Sequence, residues 1–198
     1  AIVIVSGGFK ELGGRYKDVE AEVVRIARRY GMRIIGPNCI GVFDGETRID
    51  TFFQSRERML RPPKGPIAFM TQSGTFGCTM LEWVAEAGLG ISKFVSYGNR
   101  CDVDEADLIR YFGRDPETRV IAIYLEGLSD GRKFMEAARE VAPRKPIVVL
   151  KAGRTEAGSK AALSHTGWLA GQAAIYDAAF RQCGVIQARN FEELFDMV

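Results

Sequence analysis

The feature that most constrains the fold is a regular alternation of short apolar runs with segments of helical period. From residue 66 onward, glycines and other small residues bound each apolar run, and a stretch with apolar residues every three or four positions follows it. This alternation is typical of parallel strands joined by crossover helices. We therefore predict an α/β fold, with a flavodoxin-like, doubly wound parallel sheet of five strands in residues 66–198.

The predicted elements extend over the whole chain. Strands are predicted at 1–5, 33–36, 66–71, 91–96, 119–125, 146–151 and 184–188. Helices are predicted at 18–30, 75–87, 104–113, 130–141, 168–182 and 190–198. Ligands of doubly wound sheets gather at the carboxyl ends of the strands, so the loops that follow the strands are the first candidates for function.

A proline-rich segment divides the chain. Arg61–Pro66 contains three prolines, which cannot continue a helix or a central strand, so we interpret it as a linker between domains 1–61 and 66–198. Residues 1–61 show only two clear strands and one helix, which predicts the C-terminal half of a dinucleotide-type domain. Since the chain starts directly in a strand pattern without a signal peptide, we expect it to be a piece of a longer protein.

Charge and cysteine usage narrow the class of partner. A net charge of +2 is too small to indicate nucleic-acid binding, and no apolar stretch approaches the length of a membrane span. The four cysteines form no CxxC pair and no ligand-like spacing with the single histidine, so we expect no metal site and a reducing, cytoplasmic location. The expected partners are small molecules or proteins.

The single histidine, His165, lies in a loop of small residues. Its neighbours in Ser164–Gly167 leave the imidazole room to meet a ligand, and loops of this kind often carry function. An exposed loop histidine without a role is an equally open interpretation from this placement alone.

A second loop has the composition of an anion site. Ser73, Gly74 and Thr75 follow the strand at 66–71 and open a helix, where free N–H groups and the positive end of the helix dipole favour a phosphate. An ordinary serine N-cap followed by a glycine turn would give the same pattern.

Further polar residues follow other predicted strands. Glu126 comes at the end of one strand, where it could hold a histidine ring or could simply face solvent. Gly98 and Asn99 follow another, and turn chemistry explains them without any ligand. Two more strand ends, at residues 6–11 and 36–41, combine small residues with turns. Cys39 in the second is expected to be a small buried residue and not a nucleophile.

Six motifs together resemble a known family. In order they are Ser6-Gly-Gly-Phe-Lys-Glu11, Gly36-Pro-Asn-Cys39, Thr71-Gln-Ser-Gly74, Ser96-Tyr-Gly-Asn99, Tyr124-Leu-Glu-Gly127 and Ser164-His-Thr-Gly-Trp-Leu-Ala-Gly171. This ordered set, which extends over essentially all 198 residues, resembles the nucleoside-diphosphate-forming acyl-CoA synthetases. That family includes the ADP-forming acetyl-CoA synthetases and, more distantly, the alpha subunit of succinyl-CoA synthetase.

The resemblance implies roles for individual residues. It implies the C-terminal half of a Rossmann-type CoA-binding domain before residue 61 and a succinyl-CoA-synthetase-like flavodoxin domain after residue 66. His165 would be phosphorylated and Glu126 would orient it. The residues implied at the phosphate are Ser73, Gly74, Thr75, Gly98, Asn99 and Gly167. The residues implied at CoA are Ser6, Gly7, Lys10, Asn38 and Cys39.

The implied reaction interconverts acyl-CoA, phosphate and ADP with free acid, CoA and ATP through an acyl phosphate and a phosphohistidine. ATP or ADP with Mg²⁺ would bind a partner ATP-grasp domain or beta subunit, because this chain contains neither an ATP-grasp segment nor the glycine-rich loop that opens the CoA-binding domain. An oligomer is also implied. The alternatives are a CoA-sensing regulatory module, as in some protein acetyltransferases, and a flavodoxin-type flavin protein. Retention of both His165 and Glu126 argues against the sensor.

Overall fold

A computed structural model describes residues 1–153 and 173–198. The predicted alternation of strands and helices is confirmed within these residues. The elements are, in chain order, β1 (Ile2–Val3), α1 (Tyr16–Arg29), β2 (Ile34–Ile35), β3 (Val42–Asp44), β4 (Lys64–Thr71), α2 (Gly74–Glu86), β5 (Ile91–Ser96), α3 (Glu105–Arg114), β6 (Val120–Leu125), α4 (Gly131–Val141), β7 (Ile147–Lys151), α5 (Ala173–Gln182), β8 (Ile186–Ala188) and α6 (Phe191–Asp196). No helix among the described residues is long and apolar enough to cross a membrane.

The main sheet contains six strands in the order β3-β5-β4-β6-β7-β8. The five strands predicted after residue 66 are all present, and β6, β7 and β8 pair in parallel. A sixth strand, which the sequence analysis did not predict, lies before residue 66: β3 pairs antiparallel with β5 and makes the sheet mixed. β3 has only three residues, which is too short for a recognisable strand pattern, so the sequence does not reveal it. A separate two-stranded parallel sheet joins β1 to β2.

The described chain forms two compact units. The first unit contains residues 1–66 and 70–104, and the second contains 67–69 and 105–198. β4 supplies residues to both units. The boundary between the units therefore differs from the domain boundary predicted at residues 61–66, which stays a prediction. The interpretation of Arg61–Pro66 as a linker needs a correction, since β4 already begins at Lys64 and includes Pro66. Pro66 is exposed near the start of the strand, where a missing N–H is tolerated.

The core of the second unit explains why its strands are continuous apolar runs. Every residue of β7 is buried, and so are five of the six residues of β6. Strands covered on both faces select apolar side chains throughout rather than at alternate positions. Helix α4 packs Phe134 and Ala137 inward, and the carboxylate of its N-cap, Asp130, accepts a hydrogen bond from Lys133 N at 2.9 Å. Glu126 lies between the end of β6 and this N-cap.

In the first unit, a buried carboxylate ties separate segments together. The side chain of Asp102 is 1% exposed. Its Oδ1 accepts from Arg28 Nη2 at 2.9 Å, and its Oδ2 accepts from Arg33 Nε at 2.8 Å and from Ile34 N at 2.9 Å. Burial alone would raise the pKa of Asp102, but hydrogen bonds from Arg33, Ile34 N and Arg28 outweigh burial and leave the pKa below its usual value. Asp102 therefore fastens α1 and β2 to the residues that follow β5.

We expect Asp102→Asn to lower the free energy of unfolding by about 2 kcal/mol at pH 7. The amide keeps the shape but removes the charge that both guanidinium groups face, and the exposure of those two groups to water limits the loss. A lowered native-state pKa stabilises the fold above the unfolded-state pKa and is lost as the pH falls through the native value. Urea unfolding should therefore show a difference between the two proteins that shrinks below about pH 4.

Glu22→Gln is the matched control for this measurement. Glu22 lies on the same helix as Arg28 and pairs with Arg25 on the surface, so its loss should leave unfolding nearly unchanged. If Asp102→Asn is as stable as the unmodified chain at pH 7, Asp102 does not fasten these segments.

Candidate functional site

Three turns at strand ends meet in the first unit. Ser6 O accepts from Asn38 N at 3.0 Å, and Pro37 O accepts from Asn99 N at 2.9 Å. The backbone of Gly98 has φ of 47°, and a Cβ there would lie 2.2 Å from the carbonyl oxygens of Pro37 and Asn38. Only glycine allows so close an approach. Residues that the sequence analysis assigned separately to CoA and to phosphate are thus neighbours.

The carboxamide of Asn99 is the centre of this cluster. Its Nδ2 donates to Glu11 Oε2 at 2.5 Å and to Glu20 Oε2 at 3.0 Å, and its Oδ1 accepts from Asn38 Nδ2 at 3.4 Å. Asn99 is 9% exposed. An amide offers two donors and an acceptor on one side chain, whereas an aspartate in this place would face two carboxylates. The residue type at 99 is therefore determined by its three partners.

Lys10 joins the same cluster from the turn after β1. Its Nζ lies 3.2 Å from Glu20 Oε1 and also donates to the carbonyl oxygen of Asn99. Its backbone N donates to Glu20 Oε2 at 3.3 Å. The Lys10 side chain is 29% exposed, so its ammonium group is compensated by a carboxylate yet still accessible from solvent.

Glu11 stabilises the turn from which Lys10 projects. Its Oε1 accepts from the backbone N of Gly8 at 2.5 Å and of Phe9 at 3.1 Å. Burial by itself raises the pKa of Glu11, but the hydrogen bonds from Asn99, Gly8 and Phe9 outweigh it and lower the pKa below the usual value. Glu11 is therefore an ionised acceptor at neutral pH.

Cys39 is 5% exposed, as the sequence analysis expected of a small buried residue. Its Sγ lies 3.3 Å from Ile4 O, and burial raises the pKa of the thiol to about 11. Because the thiolate is the nucleophilic form, Cys39 is unreactive at neutral pH.

The predicted phosphate loop forms the N-terminus of α2. Ser73 is the N-cap, and its Oγ accepts from Phe76 N at 3.3 Å. A Cβ at Gly74 would come within 2.9 Å of Ile40, so this helix start lies against the residue that follows Cys39. The capping interpretation is therefore realised, and the role of Ser73, Gly74 and Thr75 in phosphate binding stays a prediction.

Glu126 belongs to the second unit and directly follows β6. It is half-buried. Burial together with the negative charge of Glu126 raises the pKa of Tyr124 to about 12, so the two side chains are within electrostatic reach. His165 and Gly167 lie outside the described residues. Among the residues that the structure does describe, no group of three His, Cys, Asp or Glu side chains could hold a metal ion.

Four residues to which the sequence gave no role make contacts in or near these segments. They are Glu11, Glu20, Asp102 and Tyr124. A signal existed for Glu20, because it stands at helical spacing from Ala27 on the buried side of α1, where an acidic residue requires a partner.

Known proteins are similar to this chain along nearly its whole length. The ADP-forming acetate–CoA ligase I of Archaeoglobus fulgidus is 50% identical over 98% of this chain, which spans 28% of that protein. The alpha subunit of ADP-forming acetate–CoA ligase I from Pyrococcus furiosus is 47% identical over 98% of this chain and 41% of the subunit. The chain therefore spans less than half the length of these relatives.

A solved structure and a family model agree with these relatives. The dinucleotide forming acetyl-coenzyme A synthetase 1 of Ca. Korarchaeum cryptofilum, in complex with phosphate and ADP, superposes with a TM-score of 0.89 at 44% identity. The match includes 98% of this chain and 41% of that one. The model of the succinyl-CoA ligase like flavodoxin domain matches residues 64–198, more than half of the chain. The chain belongs to the family of succinyl-CoA ligase like flavodoxin domains.

Proposed function

We propose that the chain is part of a nucleoside-diphosphate-forming acyl-CoA synthetase, with acetate as the first acid to test. The observation that carries the proposal is the cluster in the first unit, where Lys10 and Asn38 from the segments assigned to CoA contact Asn99. Two acetate–CoA ligases at 47–50% identity support the same reaction.

The proposed reaction has three transfers. Phosphate attacks the thioester carbonyl of acetyl-CoA, the carbon–sulfur bond breaks, and CoA leaves as the thiol after taking a proton. An imidazole nitrogen of His165 then takes the phosphoryl group from acetyl phosphate, and acetate leaves. ADP finally removes the phosphoryl group from the histidine to give ATP. A covalent intermediate divides one difficult transfer into two easier ones.

Each predicted site residue has a part in this scheme. Ser6, Gly7, Lys10, Asn38 and Cys39 would line the CoA thioester site. Ser73, Gly74, Thr75, Gly98, Asn99 and Gly167 would surround the phosphate, where N–H groups stabilise the charge on phosphoryl oxygens. Glu126 would orient the imidazole.

The remaining parts of the reaction are assigned to other segments. The relatives are longer than this chain, which supports a further ATP-grasp domain or a separate beta subunit. That part would bind ADP with Mg²⁺ and would assemble with this chain into an oligomer. We assign no residue of this chain to the metal. The four cysteines are unpaired, which supports a reducing, cytoplasmic location.

The test is ATP formation by the complete protein. Purified full-length protein, with its partner subunit if separate, should form ATP from acetyl-CoA, phosphate and ADP, and omission of any one substrate should stop it. A CoA-sensing module would bind acetyl-CoA without forming ATP. That outcome, or a protein that requires no phosphate, would contradict the proposal.

A further inference from the structure

Glu20 is a buried carboxylate that links the proposed site to the body of α1. The residue is 6% exposed although its neighbours on the helix include exposed acidic residues. A carboxylate that loses its water needs compensating partners. Glu20 has three, since it lies 3.2 Å from Lys10 Nζ and accepts hydrogen bonds from Lys10 N and Asn99 Nδ2.

These partners belong to different turns. Lys10 lies ten residues before Glu20, whereas Asn99 lies 79 residues after it. Without the carboxylate, the ammonium of Lys10 would keep only the carbonyl oxygen of Asn99 as a described partner, and the Asn99 side chain would keep Glu11 and Asn38. Glu20 thus holds two separate turns in one relative position.

The charges in the cluster indicate what Lys10 contacts. Its ammonium is already paired with Glu20, and a second carboxylate, that of Glu11, accepts a hydrogen bond from the neighbouring Asn99 side chain. A phosphate group would have to compete with one carboxylate for Lys10 and would be repelled by both. An uncharged polar group, such as an amide or a thioester carbonyl, can accept the remaining N–H of the ammonium without that cost.

We propose that Glu20 is a positioning residue, which holds Lys10 against Asn99 so that the Lys10 ammonium contacts the uncharged arm or the thioester of acyl-CoA and not the phosphates of CoA. This inference rests on the proposed function. Because Glu20 acts through Lys10, its loss weakens substrate binding more than turnover. A residue that merely supported the fold would not produce that separation.

The test compares three variants of the complete enzyme: Glu20→Gln, Lys10→Met and the double variant. We expect each single variant to raise the KM for acetyl-CoA about tenfold while kcat changes less than about threefold. The double variant should be no worse than either single variant, because both changes remove the same contact. Glu22→Gln, two positions along α1 and exposed, is the matched control and should leave both constants unchanged.

A second substrate separates the two possible contacts of Lys10. Acetylpantetheine keeps the amide-bearing arm and the thioester but lacks the nucleotide and its phosphates. The KM of each variant should rise by the same factor with acetylpantetheine as with acetyl-CoA. If the loss disappears with acetylpantetheine, Lys10 contacts a phosphate and the proposal is wrong.

The remaining outcomes also decide the question. Multiplying effects in the double variant, or an unchanged KM in both single variants, would overturn the positioning role. If Glu20→Gln fails to fold, Lys10→Met decides alone, because Lys10 is partly exposed and its KM must still rise. An unmodified enzyme that forms no ATP contradicts the proposed function instead, which distinguishes the two failures.

Discussion

In the complete enzyme, His165→Asn should abolish transfer of phosphate to the protein and, with it, formation of ATP. Asparagine is about as large as the imidazole but has no nitrogen able to accept a phosphoryl group. Loss of the nucleophile should therefore lower the rate of ATP formation on the order of 10⁴-fold or more. The measurement is incubation with labelled ATP or with acetyl-CoA and labelled phosphate, followed by a test for acid-labile, base-stable label.

A partial reaction is the control for this variant. Formation of acetyl phosphate from acetyl-CoA and phosphate precedes the histidine step, so it should persist in His165→Asn and show that the site still assembles. His165 is the only histidine of the chain, so no neighbouring imidazole within it can substitute. Base-stable label that remains on the variant would contradict the assignment.

Glu126→Gln should slow phosphorylation by roughly 10–10³-fold, because a residue that only orients the nucleophile contributes less than the roughly 10²–10⁴-fold typical of a general acid or base itself. The substitution keeps the shape and removes the charge that reaches as far as Tyr124. A carboxylate that accepts one ring N–H fixes the tautomer and makes the other nitrogen more basic, whereas a neutral amide does so weakly. Rapid mixing of enzyme with labelled acetyl phosphate, quenched in base, measures this single step.

The matched control for Glu126 is Glu140→Gln. Glu140 lies on α4 in the same unit and pairs with Arg110 on the surface, so its loss should not change the rate of phosphorylation. An unchanged rate in Glu126→Gln, with the fold intact by circular dichroism, would refute the orienting role.

The fold was largely predictable because its strands are covered on both faces. Burial of that kind leaves continuous apolar runs such as Val120–Leu125 and Ile147–Lys151, and these stand out from the helical segments between them. β3 lacks such a run, since it has only three residues. Pro66 was wrongly interpreted as part of a linker. A proline is tolerated near the start of a strand, because only one possible backbone hydrogen bond is lost there.

The loops that carry candidate site residues were predictable from the sequence, but the side-chain contacts between these loops were not. Small residues and turns after strands mark Asn38 and Asn99 as loop residues with a possible function, although the strands belong to different sheets. Glu20 has no local mark of this kind. It lies inside a helix between the exposed acidic residues Asp18 and Glu22, and its helical spacing from Ala27 indicates only that it is buried. Its contacts with Lys10 and with Asn99, 79 residues later, identify its partners.

The close approach at Gly98 couples the turn that contains Asn38 to the turn that contains Asn99. Its backbone leaves no room for a side chain against Pro37 and Asn38, and the hydrogen bond from Asn99 N to Pro37 O closes the same contact. Neither turn can move toward the other, and moving apart breaks that bond. A ligand that pulls Asn38 away from Gly98 breaks this bond unless Asn99 moves with it, so we expect a spectroscopic probe on either turn to report ligand binding at the other.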